Sequence, residues 1–251
     1  MSGVKIVIPS HRRHDRVYAR RLVCDPIICV AESQADLYRR HNPECEIVTH
    51  PDDVTGLIPK RNSMARHFGD LMMIDDDVHA VKDLTVEKGE TGTVRDPVRV
   101  TAIINDLYEL ACMLDVHLFG FTSAISPVMY NEWGYYSLSK MITGCSYGVR
   151  YNKNVWWNED LRLKEDFWIS CYMKYKERRI LTDLRYNFSQ KGTFVNAGGL
   201  AAIRNQEEER RSILLIRKHF GESIGIKGAS NNGKDMTRRM VEYNISCKFK
   251  F

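Results

Sequence analysis

The clearest helix-to-strand transition in the chain lies in residues 56–77, which read GLIPKRNSMARHFGDLMMIDDD. Pro59 suits the first turn of a helix, and Gly69 suits the residue that ends it. Residues 71–74 then form a short apolar run of the kind found in buried strands. The strand leads directly into three aspartates: Asp75, Asp76 and Asp77. The pattern predicts a helix, a turn and a buried strand whose carboxyl end is acidic.

The residues before this unit repeat the same alternation. Their patterns predict strands at 4–8, 26–31 and 46–49, and helices at about 14–22 and 33–41. Ser33 and Asp36 predict a capping box at the start of the second helix. Four strands that alternate with helices indicate a parallel, doubly wound sheet. Ligands of such sheets bind beyond the carboxyl ends of the strands, which is where the aspartates are.

The patterns in the rest of the chain extend the same domain. They predict a polar loop at 85–97, helices at 100–114, 165–177 and 205–220, and strands at 118–121, 141–149 and 180–188. The length of 251 residues suits one α/β domain with a sizeable core. Residues 221–233 are rich in glycine, serine and asparagine, and we predict a linker there that leads to a basic tail.

Composition narrows the class of protein. An apolar fraction of 43% with 27% charged residues is typical of a soluble enzyme, and no apolar run is long enough to cross a bilayer. The first residues do not have the pattern of a secretory signal. The seven cysteines are scattered singly, without the spacing of a zinc site, which fits buried thiols in a reducing compartment. We therefore expect a cytoplasmic protein that does not bind a membrane.

The net charge of +5 is mild, but basic residues cluster at 11–21 and in the tail beyond residue 233. Such clusters attract polyanions, and they are equally typical of a solvated surface. The charge pattern by itself leaves nucleic-acid binding open.

The three adjacent aspartates are the first candidate site. Their carboxylates repel one another, and a chain tolerates this most readily when a divalent cation or hydrogen-bond donors offset the charge. Mg²⁺ and Mn²⁺ prefer a few carboxylates together with phosphate oxygens of a substrate. The cluster therefore points to a metal-bound nucleotide diphosphate. An acidic turn that caps the next segment is the alternative reading of the same residues.

The second candidate is the acidic pair at the predicted start of the helix at 165–177. The helix dipole favours acids at this position for structural reasons alone. A partly buried aspartate beside Phe167 and Trp168 also has the surroundings that raise a carboxyl pKa, as a general base requires. We predict Asp166 as the base that takes the proton of an acceptor hydroxyl, with Glu165 as the second candidate.

Basic residues near the predicted sheet edge are candidates for binding a diphosphate. Ser10, Arg12, Lys60 and Arg61 form one set, in which the arginine fork suits phosphate oxygens. An exposed basic helix surface is the alternative for these residues. Lys191 lies in a predicted mobile lid at 189–193 and would cover the leaving phosphate, although an ordinary turn explains the same stretch.

The order of these features resembles the family-2-type glycosyltransferases of the GT-A fold. The resemblance covers residues 4–168 and rests on five features: Ile8-Pro9-Ser10-His11-Arg12, Glu32 after the second strand, the helix from Gly56 to Asn62, Asp75-x-Asp77, and Glu165-Asp166. It implies a single α/β domain with a Rossmann-like, mostly parallel sheet flanked by helices. The domain would cover residues 1–220, with a nucleotide-binding half at 1–80 and an acceptor half at 81–220, followed by the linker and tail at 221–251.

The same resemblance implies roles for individual residues. Asp77 would bind Mn²⁺ or Mg²⁺, Asp75 would bind both the ribose and the metal, and Asp166 would be the base. By the same resemblance, Glu32 and Ser10 would contact the nucleotide of a UDP-sugar. The full set of residues predicted to contact the donor, apart from Asp75, is Pro9, Ser10, Arg12, Glu32, Arg61, Asp76 and Lys191. The sequence departs from the family pattern in having no clear third metal ligand in its C-terminal part. His219 is the only histidine there, and its position at a predicted helix end does not suit a metal ligand.

The size, the basic character and the Lys164–Phe167 helix start are similar to the TET-associated glycosyltransferases of bacteriophages. This resemblance implies 5-hydroxymethylcytosine or 5-hydroxymethyluracil in double-stranded DNA as acceptor, and a phage protein acting in host cytoplasm. The residues that would contact DNA phosphates are Arg12, Arg13, Arg204, Arg210, Arg211 and the basic tail. Tyr135, Tyr136, Trp156 and Trp157 would offer stacking surfaces, and core packing is the alternative for these aromatic residues.

Three other functions remain open at this point. One is transfer of sugar to a surface glycan or a lipid-linked sugar, although the usual membrane segment is missing. Another is a non-catalytic nucleic-acid-binding protein on the same scaffold. A nucleotidyltransferase is the third, but its usual glycine-rich phosphate loop is absent after the first strand. The sequence does not indicate the sugar, the modified base, the stereochemistry of transfer, a third metal ligand or the oligomeric state.

Overall fold

A computed structural model describes residues 3–87, 89–90, 92–131, 133–190, 203, 205–227 and 244–247. The strands, in chain order, are β1 (Lys5–Pro9), β2 (Ile27–Ala31), β3 (Glu46–His50), β4 (Leu71–Ile74), β5 (Val78–Asp83), β6 (Thr93–Val94), β7 (Leu118–Phe121), β8 (Tyr136–Ser137), β9 (Ser146–Val149), β10 (Leu181–Asp183), β11 (Tyr186–Gln190), β12 (Ile224–Lys227) and β13 (Asn244–Cys247). The α-helices are α1 (Ala35–His41), α2 (Leu57–Phe68), α3 (Pro97–Met113), α4 (Glu165–Glu177) and α5 (Gln206–Phe220).

Eight strands form the central sheet in the order β3-β2-β1-β4-β9-β7-β10-β8. β1, β2, β3 and β4 pair in parallel, as do β7 and β10, whereas β9 runs antiparallel between β4 and β7. β8 pairs antiparallel with β10 at the edge. The structure confirms the predicted α/β class, with a mostly parallel mixed sheet flanked by helices in a single domain that is consistent with a GT-A-like fold.

Apolar layers cover both faces of this sheet. Successive side chains of a strand point to opposite faces, so Met72 and Ile74 of β4 pack in the layer that contains α1 and α3. Leu71 and Met73 pack in the layer that contains α2, α4 and α5. Burial on both faces explains why β4 is a continuous apolar run rather than an alternating one.

A second sheet of three strands, in the order β11-β5-β6, lies beyond the aspartates. The sequence did not indicate β5, which begins one residue after Asp77 and pairs antiparallel with β11. The predicted single strand at 180–188 is wrong, because β10 belongs to the central sheet and β11 to the small one. The chain turns between them at Arg185, whose backbone N–H and guanidinium both donate to Asp183.

Three other local predictions were wrong. The helix predicted at 14–22 is reduced to a 3₁₀ turn at Tyr18–Arg21, because the Tyr18 and Ala19 N–H groups donate to the Asp76 carbonyl. The capping box is absent, since Ser33 donates its hydroxyl to Asp52 and Asp36 accepts from Arg39. The strand predicted at 141–149 begins only at Ser146.

The C-terminal part contains more structure than the predicted linker. β12 and β13 pair antiparallel, and Ile224 of β12 is buried in the layer that contains α5. The division of the chain at residue 220 stays a prediction. None of the helices in the described ranges is both long and apolar enough to span a membrane.

Candidate active site

The three aspartates occupy the turn that joins the two sheets. The Asp75 N–H donates to the Cys145 carbonyl over 2.9 Å, which extends the β4–β9 pairing by one residue. The Val78 N–H then donates to the Asp75 carbonyl over 3.2 Å. A tight turn of this kind lets three consecutive side chains point in different directions.

Asp76 is used for tertiary structure. Its carboxylate accepts from the Ser10 hydroxyl over 2.6 Å and from Arg13 Nη1 over 2.7 Å, and the side chain is buried. These bonds attach the segment after β1 to the turn after β4. Arg13, predicted as a DNA phosphate contact, is therefore paired with Asp76.

Asp75 and Asp77 converge on one donor. The Gln190 amide nitrogen lies 3.4 Å from Asp75 Oδ2 and 2.9 Å from Asp77 Oδ1. The pKa of Asp75 is raised to about 8, mainly by burial; Arg61 opposes the shift, and the negative neighbours Asp77 and Glu165 add to it. Burial likewise raises the pKa of Asp77. The Asp75 side chain still exposes 26% of its surface, so solvent and ligands reach it.

Arg61 connects this pair to the start of α4. Its guanidinium Nη2 donates to Asp75 Oδ1 over 3.2 Å and to Glu165 Oε1 over 3.3 Å, and the residue is 0% exposed. The guanidinium also lies over the Tyr147 ring, 4.8 Å from its centroid. Arg61 thus lies inside the protein, bound to two carboxylates, rather than on an exposed basic helix surface.

The other predicted nucleotide contacts lie at the carboxyl ends of β1 and β2. Pro9 and Ser10 are buried at the end of β1, and the buried Lys60 donates from Nζ to the Ser10 carbonyl over 2.8 Å. Arg12 and Glu32 are exposed. The Arg12 N–H donates to the Gln34 side chain, which places the loop after β1 beside the 3₁₀ turn that follows β2. Lys191 lies outside the described residues.

Asp166 lies in the first turn of α4, next to Glu165. Its carboxylate accepts from the Gly144 N–H over 2.7 Å and from the Phe167 N–H over 2.9 Å. Burial is the largest cause that raises the pKa of Asp166 to about 7, and Glu165 adds to it. Gly144 has a φ of 116°, a conformation that a residue with a Cβ rarely adopts. The close approach of this backbone to the carboxylate therefore depends on glycine.

A cleft of about 420 Å³ lies between the small sheet and the residues that precede β9. Gln190, which contacts Asp75 and Asp77, and Gly144, which contacts Asp166, both line it. Residues that hydrogen-bond to the three predicted carboxylates thus line one cleft. Neither lining residue was given a role from sequence, although Gln190 belongs to the predicted lid at 189–193. Ser189 and Gln190 of that stretch are in strand β11, and the rest of it lies outside the described residues.

Other predicted contacts lie elsewhere. Trp157 is buried in the core, where its backbone bonds to Asn62, so it offers no stacking surface. His219 contacts Trp168 and Asn158. Arg210 and Arg211 are exposed on α5, and Arg204 and the basic tail beyond residue 233 fall outside the described ranges apart from 244–247. Among described residues, no group of three or more His, Cys, Asp or Glu side chains is arranged to hold a metal.

Comparison with known families finds one match. A family model described as TET-Associated Glycosyltransferase matches residues 4–199, which includes β1 through β11 and all the carboxylates discussed above. A search of curated protein sequences finds no match.

Proposed function

This chain belongs to the TET-associated glycosyltransferase family, and from that membership we propose that it transfers a sugar from a UDP-sugar to a 5-hydroxymethylpyrimidine in duplex DNA. The observation that carries the proposal is the convergence of Asp75 and Asp77 on Gln190, which lines the same cleft as Gly144, the backbone partner of Asp166. A donor site and a proton acceptor at one cleft are what sugar transfer to a hydroxyl requires.

The donor set fits Mn²⁺ or Mg²⁺. Asp75 and Asp77 offer hard carboxylate oxygens that share one partner, and such ions need only one or two carboxylates when phosphate oxygens of the substrate complete the coordination. Burial raises the pKa of both groups, so a cation would offset a real electrostatic cost. When bound, the ion would neutralise charge that develops on the departing diphosphate.

The exposed residues at the ends of β1 and β2 are proposed to bind the nucleotide. Glu32 would accept hydrogen bonds from the ribose hydroxyls, and Arg12 would contact the diphosphate. Arg61 is assigned a positioning role, because its buried guanidinium holds Asp75 and Glu165 in place. Asp76 and Ser10 shape the same wall through their mutual hydrogen bond.

Asp166 is proposed as the base. Its carboxylate would take the proton of the acceptor hydroxymethyl group while that oxygen bonds to the anomeric carbon and UDP leaves. The raised pKa suits proton transfer near neutral pH. The N–H groups of Gly144 and Phe167 orient the carboxylate. Glu165 acts through Arg61 rather than on the acceptor.

The test is incubation of the protein with duplexes that contain 5-hydroxymethylcytosine, 5-hydroxymethyluracil or unmodified cytosine, with a panel of UDP-sugars and Mn²⁺. Mass spectrometry of the digested nucleosides should show a hexose-sized or related gain on one hydroxymethylated base. Asp77→Asn and Asp166→Asn should abolish the gain, and the exposed Asp160→Asn should not. If no nucleoside gained mass, DNA would be rejected as the acceptor. If the protein then transferred sugar to another hydroxyl compound, only its assignment as a glycosyltransferase would remain.

A further inference from the structure

Exposed apolar side chains are concentrated in one segment. Seven of the sixteen large apolar side chains exposed in the described part of the chain lie between residues 125 and 138: Ile125, Val128, Met129, Trp133, Tyr135, Tyr136 and Leu138. Trp133 exposes 90% of its surface. A contiguous apolar surface of this kind marks a binding site more often than a random feature of a monomer.

Arg185 organises the aromatic residues behind this segment. Its guanidinium lies 5.5 Å from the ring centre of Tyr135, 4.8 Å from that of Tyr136 and 5.3 Å from that of Tyr186. The buried Asp183 accepts from Arg185 over 2.8 Å and holds it in place. The aromatic rings therefore surround a cation whose position is fixed.

These side chains line a pocket that we call the Arg185 pocket, formed by Thr85, Tyr130, Tyr135, Arg185 and Tyr186, with a volume of about 360 Å³. The Tyr130 hydroxyl is buried there and has no hydrogen-bond partner among the described residues. A buried hydroxyl without a partner costs free energy unless a ligand or water bonds to it. The pocket thus combines stacking faces, a cation and a polar group to be satisfied.

The Arg185 pocket and the cleft share strand β11. Asn187 to Gln190 line the cleft, and Tyr186, the residue before them, lines the pocket together with Arg185. Ile125 lines the cleft, and its carbonyl accepts from Lys82 of β5 over 3.4 Å. A base held in the pocket would therefore lie close to a pyrimidine held in the cleft.

We propose that the Arg185 pocket and Trp133 hold a nucleobase that neighbours the modified pyrimidine, stacked on Tyr135 and contacted by the guanidinium. This rests on the proposed function. Aromatic faces beside arginine are the surfaces on which proteins stack unpaired bases, and the Tyr130 hydroxyl would bond to a base edge. A purely apolar partner would leave the guanidinium and the hydroxyl unused.

The test compares Trp133→Ala and Tyr135→Ala with Tyr151→Ala, in the full-length protein. Tyr151 is a matched control, because it is 40% exposed and lies beside Asp70, at the end of β4 opposite the aspartates. We expect the KM for hydroxymethylated duplex to rise about tenfold in the first two variants, from the loss of one stacking contact. The KM for the UDP-sugar and the control should be unchanged.

Direct binding separates this inference from the proposed function. A duplex that carries 2-aminopurine next to 5-hydroxymethylcytosine should change its fluorescence when the wild type binds, even without a sugar donor. Trp133→Ala and Tyr135→Ala should lose this change. An identical fluorescence change in all variants, or no DNA binding at all, would overturn the proposal that this pocket holds a base. Loss of self-association or of binding to anionic vesicles in Trp133→Ala, with DNA binding intact, would assign the surface to those partners instead.

Discussion

Two regions of the molecule, which we call its two walls, are built on different principles. On the first wall, formed by β1, β4, α2 and the start of α4, charged side chains are buried and bonded to one another, as with Arg61, Asp75 and Glu165. On the second wall, residues 125–138 expose aromatic and aliphatic side chains, two of which pack over Arg185. The first wall is therefore held in a set geometry by its own ion pairs, whereas the second leaves its apolar surface available to a partner.

The largest effect that distinguishes the two walls should come from Arg61→Met. Removal of this guanidinium leaves Asp75 and Glu165 without their shared cation inside the protein. We expect the free energy of unfolding to fall by about 3–5 kcal/mol, measured by urea denaturation. Arg66→Met is the control, because Arg66 is an exposed residue of the same helix. A loss below about 1 kcal/mol for Arg61→Met would contradict the view that this ion pair network holds the wall.

The pH dependence of turnover tests the role of Asp166, in the first turn of α4. The base must be ionised, and burial raises the pKa of Asp166 to about 7, so kcat should fall about tenfold for each pH unit below that value. Steady-state measurements of kcat between about pH 5 and pH 9 test this prediction, because that range lies on both sides of the raised pKa. A kcat that stays level down to about pH 5 would assign the proton to another group.

The stability of the metal-free protein should also depend on pH. The folded pKa of Asp75 is raised to about 8, above the unfolded value of about 4, so the folded state holds this proton more tightly. Its stabilising contribution is therefore present at acid pH and lost as the pH rises toward about 8. In EDTA, the Tm of the wild type should fall as the pH rises from about 4 to about 8, and the Tm of Asp75→Asn should fall by less over the same range. Mg²⁺ should raise the wild-type Tm more at high pH than at low pH.

The smallest effect on stability is expected from Trp133→Ala. Because this side chain is 90% exposed, its removal should change the free energy of unfolding by less than about 0.5 kcal/mol. Trp157→Ala removes an indole from the core and should cost about 3–5 kcal/mol in the same urea titration. Equal losses in the two variants would mean that the exposed segment is part of the packed structure.

The sequence predicted the strands and helices of the first wall almost to the residue. β4 and α2 were predictable because the strand is a continuous apolar run and because Pro59 and Gly69 mark the first turn and the end of the helix. The position of the acidic cluster at a strand end was predictable for the same reason. The directions of its three side chains were not, because they depend on β5, which gave no clear signal.

Partners that are distant in the chain were the part that the sequence could not predict. Gln190 meets Asp77 across 113 positions, and Gly144 meets Asp166 through a backbone N–H that no residue type announces. Arg61 was expected near a diphosphate, and its guanidinium lies between two carboxylates. The sequence could not distinguish these places, because a guanidinium binds phosphate and carboxylate oxygens alike. Residue type limits what a side chain can bind, and tertiary packing selects among those partners.

The reversed direction of β9 has a consequence for how the molecule can diversify. β7 ends at Phe121 and β9 starts at Ser146 at the same end of their antiparallel pair, and the segment between them reaches the sheet edge, where β8 pairs with β10. Outside β8, the length and composition of this segment can change while β7 and β9 keep their pairing. Under the proposed function, relatives with other segments at this point would contact a different sequence context or another acceptor shape and keep the same residues for the sugar donor.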